Sequence, residues 1–174
     1  MPKTKVKTHN FSGQVVFDAK LGINRKSGAD LTIKVDVGSP YTIIKSSFLT
    51  MNNITILKDL SKQMQIGTAN VMSSIDIKRV QLKGNLYIGE VVFINPIVYV
   101  SDSARNNLLG IDYIACCKTF EIDFHEVNSI RVSNYCYFDF DGNVIKKLAS
   151  RISKSKLGSW LNIDDVSNVT MSSD

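Results

Sequence analysis

One carboxylate in the chain stands in a setting suited to catalysis. Asp36 closes the run Leu31-Thr32-Ile33-Lys34-Val35 and opens Val37-Gly38-Ser39-Pro40, after which the chain turns apolar again at Tyr41-Thr42-Ile43-Ile44. A strand end is a rigid platform, and a nearby glycine lets other groups approach the acid closely. An acid held in this way can take or give a proton in hydrolysis. The same residues also fit an ordinary turn, in which Asp, Gly, Ser and Pro serve only to reverse the chain.

The other reactive side chains offer less. Cys116, Cys117 and Cys136 form an odd set, and the histidines are only His9 and His125. Neither a Cys-x-x-Cys pair nor a zinc-type spacing is present, so no metal site is expected. Cys116 and Cys117 lie in an apolar run, which favours packing over nucleophilic work. No glycine-rich phosphate loop supports a nucleotide or other cofactor. Adjacent cysteines are poorly placed to bridge each other, and no apolar stretch follows the basic Met1–Lys7. The expectation is therefore an intracellular, cytoplasmic protein.

Composition allows a single packed domain. The 174 residues are 44% hydrophobic and 21% charged, which excludes global disorder. No apolar run reaches the roughly 18 residues that would span a bilayer as a helix. The formal charge of +5 keeps nucleic acid or an acidic surface in play. That charge is unevenly spread. Residues 1–7 hold three lysines and no acids, residues 144–161 hold five basic residues and no acids, and residues 8–143 are balanced.

The elements that must position Asp36 read as strands. Residues 14–21 and the alternating Leu31, Ile33, Val35 and Val37 form a hairpin around the turn cluster Asn24–Gly28. Further strands are expected at 72–82, 86–94, 96–100, 120–124 and 130–132, with a hairpin over 135–145 turning at Asp141-Gly142. Short helices are expected at 46–51 and 112–117. Ile145, Leu148 and Ile152 recur at helical spacing among lysines, predicting a basic amphipathic helix over 144–161. The expected organisation is a basic N-terminal arm (1–10), an all-β domain (11–143), that helix, and a disordered tail (162–174).

Three segments in order resemble the retropepsin-like aspartic proteases. Asp36-Val37-Gly38-Ser39 resembles the family's active-site turn, in which Asp-Thr-Gly or Asp-Ser-Gly precedes Ala or Ser. Gly67-Thr68-Ala69-Asn70 resembles the start of its substrate-covering flap. Leu108, Leu109 and Gly110 resemble its second motif, two apolar residues and a glycine packed beside the catalytic turn. The resemblance covers about residues 11 to 132. It implies a single-domain β-barrel with short helical turns, Asp36 as catalytic acid, a peptide or protein substrate, and no cofactor.

It also implies a partner. The reaction needs two carboxylates about 3 Å apart that share one proton. The chain has one copy of the motif and no internal repeat, so the active species would be a two-fold homodimer. Val37 stands where the family has a Thr whose hydroxyl bonds across the dimer axis. Valine keeps the shape and loses the hydroxyl, which leaves a second reading: a catalytically weak or inactive domain that dimerises or binds extended peptide. A nucleic-acid-binding barrel fits less well. Its aromatic candidates Tyr135, Tyr137, Phe138 and Phe140 are interleaved with Asp139 and Asp141 rather than with basic residues. The basic 144–161 segment is a candidate contact for an acidic surface or membrane.

Overall fold

The computed structural model describes residues 3–11, 14–61, 77–127, 130–140 and 169–171. The first half of the order is β1 (Lys3–Phe11), β2 (Gln14–Gly22), β3 (Ala29–Val35), β4 (Ile43–Lys45), α1 (Ser46–Met51), β5 (Ile56–Asp59) and β6 (Ile77–Leu82). There follow β7 (Asn85–Ile88), β8 (Val91–Ile94), β9 (Ile97–Ser101), β10 (Asn107–Leu109), α2 (Ile111–Ile114), β11 (Cys117–Val127), β12 (Ile130–Phe140) and β13 (Val169–Met171). The all-β expectation holds. One sheet runs β11-β12-β1-β2-β3-β10-β4-β9-β6-β5, with β7 joined to β2 and β8, and β13 joined to β8. Its end strands do not pair with each other, so the sheet is open where a closed barrel was expected.

Strand alternation builds the core. In β3, Leu31 and Ile33 are fully buried while Thr32 faces out. They share one core with Phe17 from β2, Leu109 from β10, Phe93 from β8, and Phe138 and Phe140 from β12. Phe138 stands 5.6 Å from Phe17, and Phe140 meets Phe93 edge-on at 5.1 Å, ring centre to ring centre. Each such side chain contributes about 1.5–3 kcal/mol on burial.

Several expectations need correcting. Lys3–Phe11 is not an arm outside the domain. It is a strand that pairs with β12 through Lys3–Lys7 and with β2 through Thr8–Phe11. Lys3, Lys5 and Lys7 face solvent while Thr4, Val6 and Thr8 are buried, so the basic residues are one face of a sheet element. The expected strand 86–94 is a hairpin, β7–β8, broken at Gly89, whose φ of +57° suits glycine. A methyl group at Gly89 would also overlap Thr4 Oγ1, and that oxygen accepts the Glu90 N–H at 2.8 Å. These contacts tie β1 to the β7–β8 turn.

The expected hairpin over 135–145 is also replaced. Tyr135–Phe140 continues β12, which already has β11 on one side and β1 on the other, so no edge is left for a returning strand. Residues 141–145 lie outside the described residues, as does the expected helix 144–161. Three residues of the expected disordered tail, Val169–Met171, form β13 against Val91–Phe93. The hairpin of β2 and β3 and the helix at 46–51 are as expected; the second helix is shorter, because β11 begins at Cys117. No described helix is long and apolar enough to cross a membrane.

Candidate active site

Asp36 is set by β10. The parallel pairing of Ile33–Val35 with Asn107–Leu109 is extended by one bond, in which the Asp36 N–H donates to Leu109 O at 3.0 Å. β10 lies between β3 and β4, so the chain leaves β3 on one side of β10 and returns on the other. Asn107 fastens both neighbours. Its Oδ1 accepts the Lys45 N–H at 2.8 Å and its Nδ2 donates to Thr32 O at 3.0 Å.

The turn between β3 and β4 is held at three points. Ser39 N–H donates to Asp36 O at 3.1 Å, which closes the turn, and Gly38 N–H donates to the carboxylate Oδ1 at 3.0 Å. Ile111 N–H donates to Ser39 O at 2.8 Å and ties the turn to α2. A side chain at Gly110 would overlap the Tyr41 carbonyl and stand 2.9 Å from Ser39 O, so Gly110 is the close-approach residue expected of the second motif. Leu109 is fully buried. Leu108 is half-buried and paired with Ile43.

Ser39 does not orient the carboxylate. Its hydroxyl donates to Tyr41 O at 2.7 Å and accepts the Tyr41 N–H at 3.3 Å. That is the local capping habit of serine in turns. Val37 is 65% exposed beside the half-buried Asp36. Gly67, Thr68, Ala69 and Asn70, the expected flap residues, lie outside the described residues.

A second carboxylate lies on the other side of this crossing, in the opposite state. Asp112 is 2% exposed. Its Oδ1 accepts the Thr42 hydroxyl at 2.6 Å and the Tyr113 N–H at 2.9 Å, and its Oδ2 accepts the Thr42 N–H at 3.0 Å. The Thr42 hydroxyl in turn accepts the Gly110 N–H at 3.0 Å, and Thr42 O accepts the Tyr99 N–H at 2.9 Å. Burial pushes the Asp112 carboxyl up to about 6, against the pull of the Thr42 and Tyr113 hydrogen bonds. Thr42, Asn107 and Asp112 were not singled out from sequence. Their partners lie some 70 residues away, and no local pattern marks them.

The cysteines pack, as their apolar run suggested. All three are free thiols. Cys116 is buried with its thiol directed at Asp112 O, 3.2 Å away, and burial pushes Cys116 and Cys136 up to about 12. They are therefore inert as nucleophiles near neutrality. His9 pairs with Asp18 at 2.8 Å on the surface of the β1–β2 region.

No family model and no curated protein matches the chain in sequence. Among solved structures, a retropepsin-like aspartic protease from Rickettsia conorii is similar, at 16% identity over 79% of this chain and 94% of that one, with a TM-score of 0.48.

Proposed function

We propose that the chain is one protomer of a retropepsin-like aspartic endopeptidase. The observation that carries this reading is the mounting of Asp36. A carboxylate at a strand end accepts a backbone N–H from Gly38, its own N–H is bound to Leu109, and the turn is braced by Gly110 and Ile111. Such a group is held in one orientation without side chains crowding it, as hydrolysis of an extended peptide requires.

In the proposed homodimer the two Asp36 carboxylates face each other and hold one proton between them, because like charges that close cannot both ionise. The charged member takes a proton from water as the water attacks the peptide carbonyl, and the protonated member donates to the carbonyl oxygen. No cofactor enters the reaction. Residues 67–70 would cover the peptide, which adds to the protein as an extended strand.

Val37 favours a second reading. An exposed valine cannot make the cross-axis hydrogen bond of the family's threonine, so the pair of turns would be tied less tightly. In this reading the domain binds peptide or dimerises without cleaving. The experiment is the same for both: incubation with an unfolded protein from about pH 3.5 to 7.5, beside Asp36→Asn, with sedimentation of each. The peptidase reading expects cleavage that the variant loses. Cleavage that survives in Asp36→Asn refutes the catalytic assignment, and a strict monomer refutes the shared proton. Dimers that never cleave favour the binding reading.

A further inference from the structure

On the outward face of β3, beginning two residues before Asp36, the sheet carries a basic cavity that the reaction chemistry does not use. Thr32 and Lys34 alternate outward from β3, and because the Asp36 N–H continues the ladder, Lys34 and Asp36 share a face about 7 Å apart along the strand. On that face lies a cavity of about 230 Å³ whose walls hold Lys34, Lys45 and Arg105 and no acidic side chain. None of these three cations takes part in the surface ion pairs His9–Asp18 and Lys20–Asp30. Besides Asp36, the acid beside this wall is Asp18, which faces Thr32 across β2 and β3 and is already engaged by the Thr32 hydroxyl at 2.7 Å and by His9. Gln14 and Asn106 add amide groups to the wall.

Three like charges around one small cavity repel each other, and an anion placed among them relieves that repulsion. Arg105 offers a planar fork suited to a carboxylate, and the lysines offer point charges. A peptide lying extended over Asp36 and running along β3 would advance about 3.3 Å per residue, so a long side chain two residues from the scissile bond would come level with Lys34, at the near end of this cavity.

We propose that the Lys34–Lys45–Arg105 cavity is a specificity subsite that selects an aspartate or glutamate side chain within two residues of the cleaved bond. This rests on the peptidase reading above and names its substrate class: acidic peptides. The pairs formed are partly exposed, so each contributes modestly, and about tenfold in kcat/KM for Glu over Gln is expected at 0.1 M salt. The preference sits in KM and shrinks at 1 M salt, where screening shortens from about 10 Å to about 3 Å.

The test uses matched peptides carrying Glu, Gln or Lys at each of the two positions on either side of one cleavable bond. Wild type should favour Glu at one of these positions, and Arg105→Glu should reverse the order towards Lys. A merely structural role for the exposed Arg105 could lower all rates but would not invert the ranking. Equal cleavage of Glu and Gln peptides, or an unchanged ranking in Arg105→Glu, overturns the subsite and leaves the peptidase reading standing. If no peptide is cut, anisotropy of labelled Glu and Gln peptides separates the two ideas. Glu-selective binding that Arg105→Glu abolishes supports the subsite while the peptidase reading fails; absence of selective binding overturns the subsite.

Discussion

Replacing Asp112 by asparagine should change how the stability of the fold depends on pH, in a direction opposite to that of a salt-bridged carboxylate. Asp112 is buried, and its carboxyl is raised from 3.8 to about 6 by burial. The folded state therefore holds its proton more tightly than the unfolded state does. The stabilisation is fully present below the unfolded value of 3.8 and is lost as pH rises through about 6. At about 1.4 kcal/mol for each tenfold change in proton affinity, the whole effect approaches 3 kcal/mol, of which about 1–2 kcal/mol falls between pH 5 and pH 7. Asparagine keeps the shape and cannot titrate. It must also present an amide N–H to one of the donors that now meet the carboxylate, Thr42 N–H, Thr42 hydroxyl or Tyr113 N–H, so the variant is less stable at every pH. The assay is urea unfolding of wild type and Asp112→Asn at pH 5 and pH 7, at one protein concentration because a dimer would make stability concentration-dependent. All other carboxylates cancel in the double difference. Wild type minus variant should be larger at pH 5 than at pH 7 by about 1–2 kcal/mol. A difference that is flat, or larger at pH 7, would show that Asp112 is held charged and that its hydrogen bonds outweigh its burial.

Two further outcomes follow from the same crossing. Gly110→Ala drives a methyl group into the Tyr41 carbonyl, and since backbone must shift, a loss of about 3 kcal/mol or 6–12 °C in Tm is expected; a Tm within 2 °C of wild type refutes the close packing. Val37→Thr restores the hydroxyl at the exposed apex of the turn, and two symmetric hydrogen bonds of about 0.5–1.5 kcal/mol each should tighten the proposed dimer roughly tenfold to hundredfold by sedimentation equilibrium, whereas an unchanged dissociation constant would place Val37 away from the dimer axis.

The parts of this fold that sequence pattern reaches are those governed by local rules. Alternation marks β2 and β3, and the turn cluster Asn24–Gly28 marks the bend between them, where Asn24 Oδ1 accepts the Ser27 N–H at 2.9 Å. Asp36 and Gly110 are likewise legible, because a strand end followed by Gly-Ser-Pro and an apolar pair followed by glycine are short patterns. Failure comes where composition masks period. In Lys3–Lys7 the lysines dominate the eye, yet Thr4 and Val6 alternate with them and are buried. In residues 86–94 the β-branched run hides the one glycine with positive φ. Ser39 is ambiguous by nature, since a serine hydroxyl in such a turn can bond a neighbouring backbone group or a carboxylate, and here it bonds the Tyr41 backbone. Asp112 is beyond any local reading: what buries it is Thr42, brought there only when β10 enters between β3 and β4.

Asp36 and Asp112 together explain why the proposed chemistry calls for a second copy of the chain. Both are aspartates beside a glycine-containing motif, and both are fixed by the crossing of β3, β10 and β4. Asp112 spends its two oxygens on three donors and lies out of reach of water. Asp36 accepts the Gly38 N–H and stays half-exposed. One acid is consumed in holding the turn, and the other is left available by the turn so held. A general base with no acid beside it cannot both activate water and protonate the carbonyl oxygen. In the proposed homodimer the second carboxylate would come from the open side of the turn, where a valine is 65% exposed. A large apolar side chain at the apex of a polar turn gains nothing in a lone protomer, and against its own symmetry mate it would be covered. In the proposed dimer, the residue that weakens the link between two turns would thus also give their meeting a hydrophobic component.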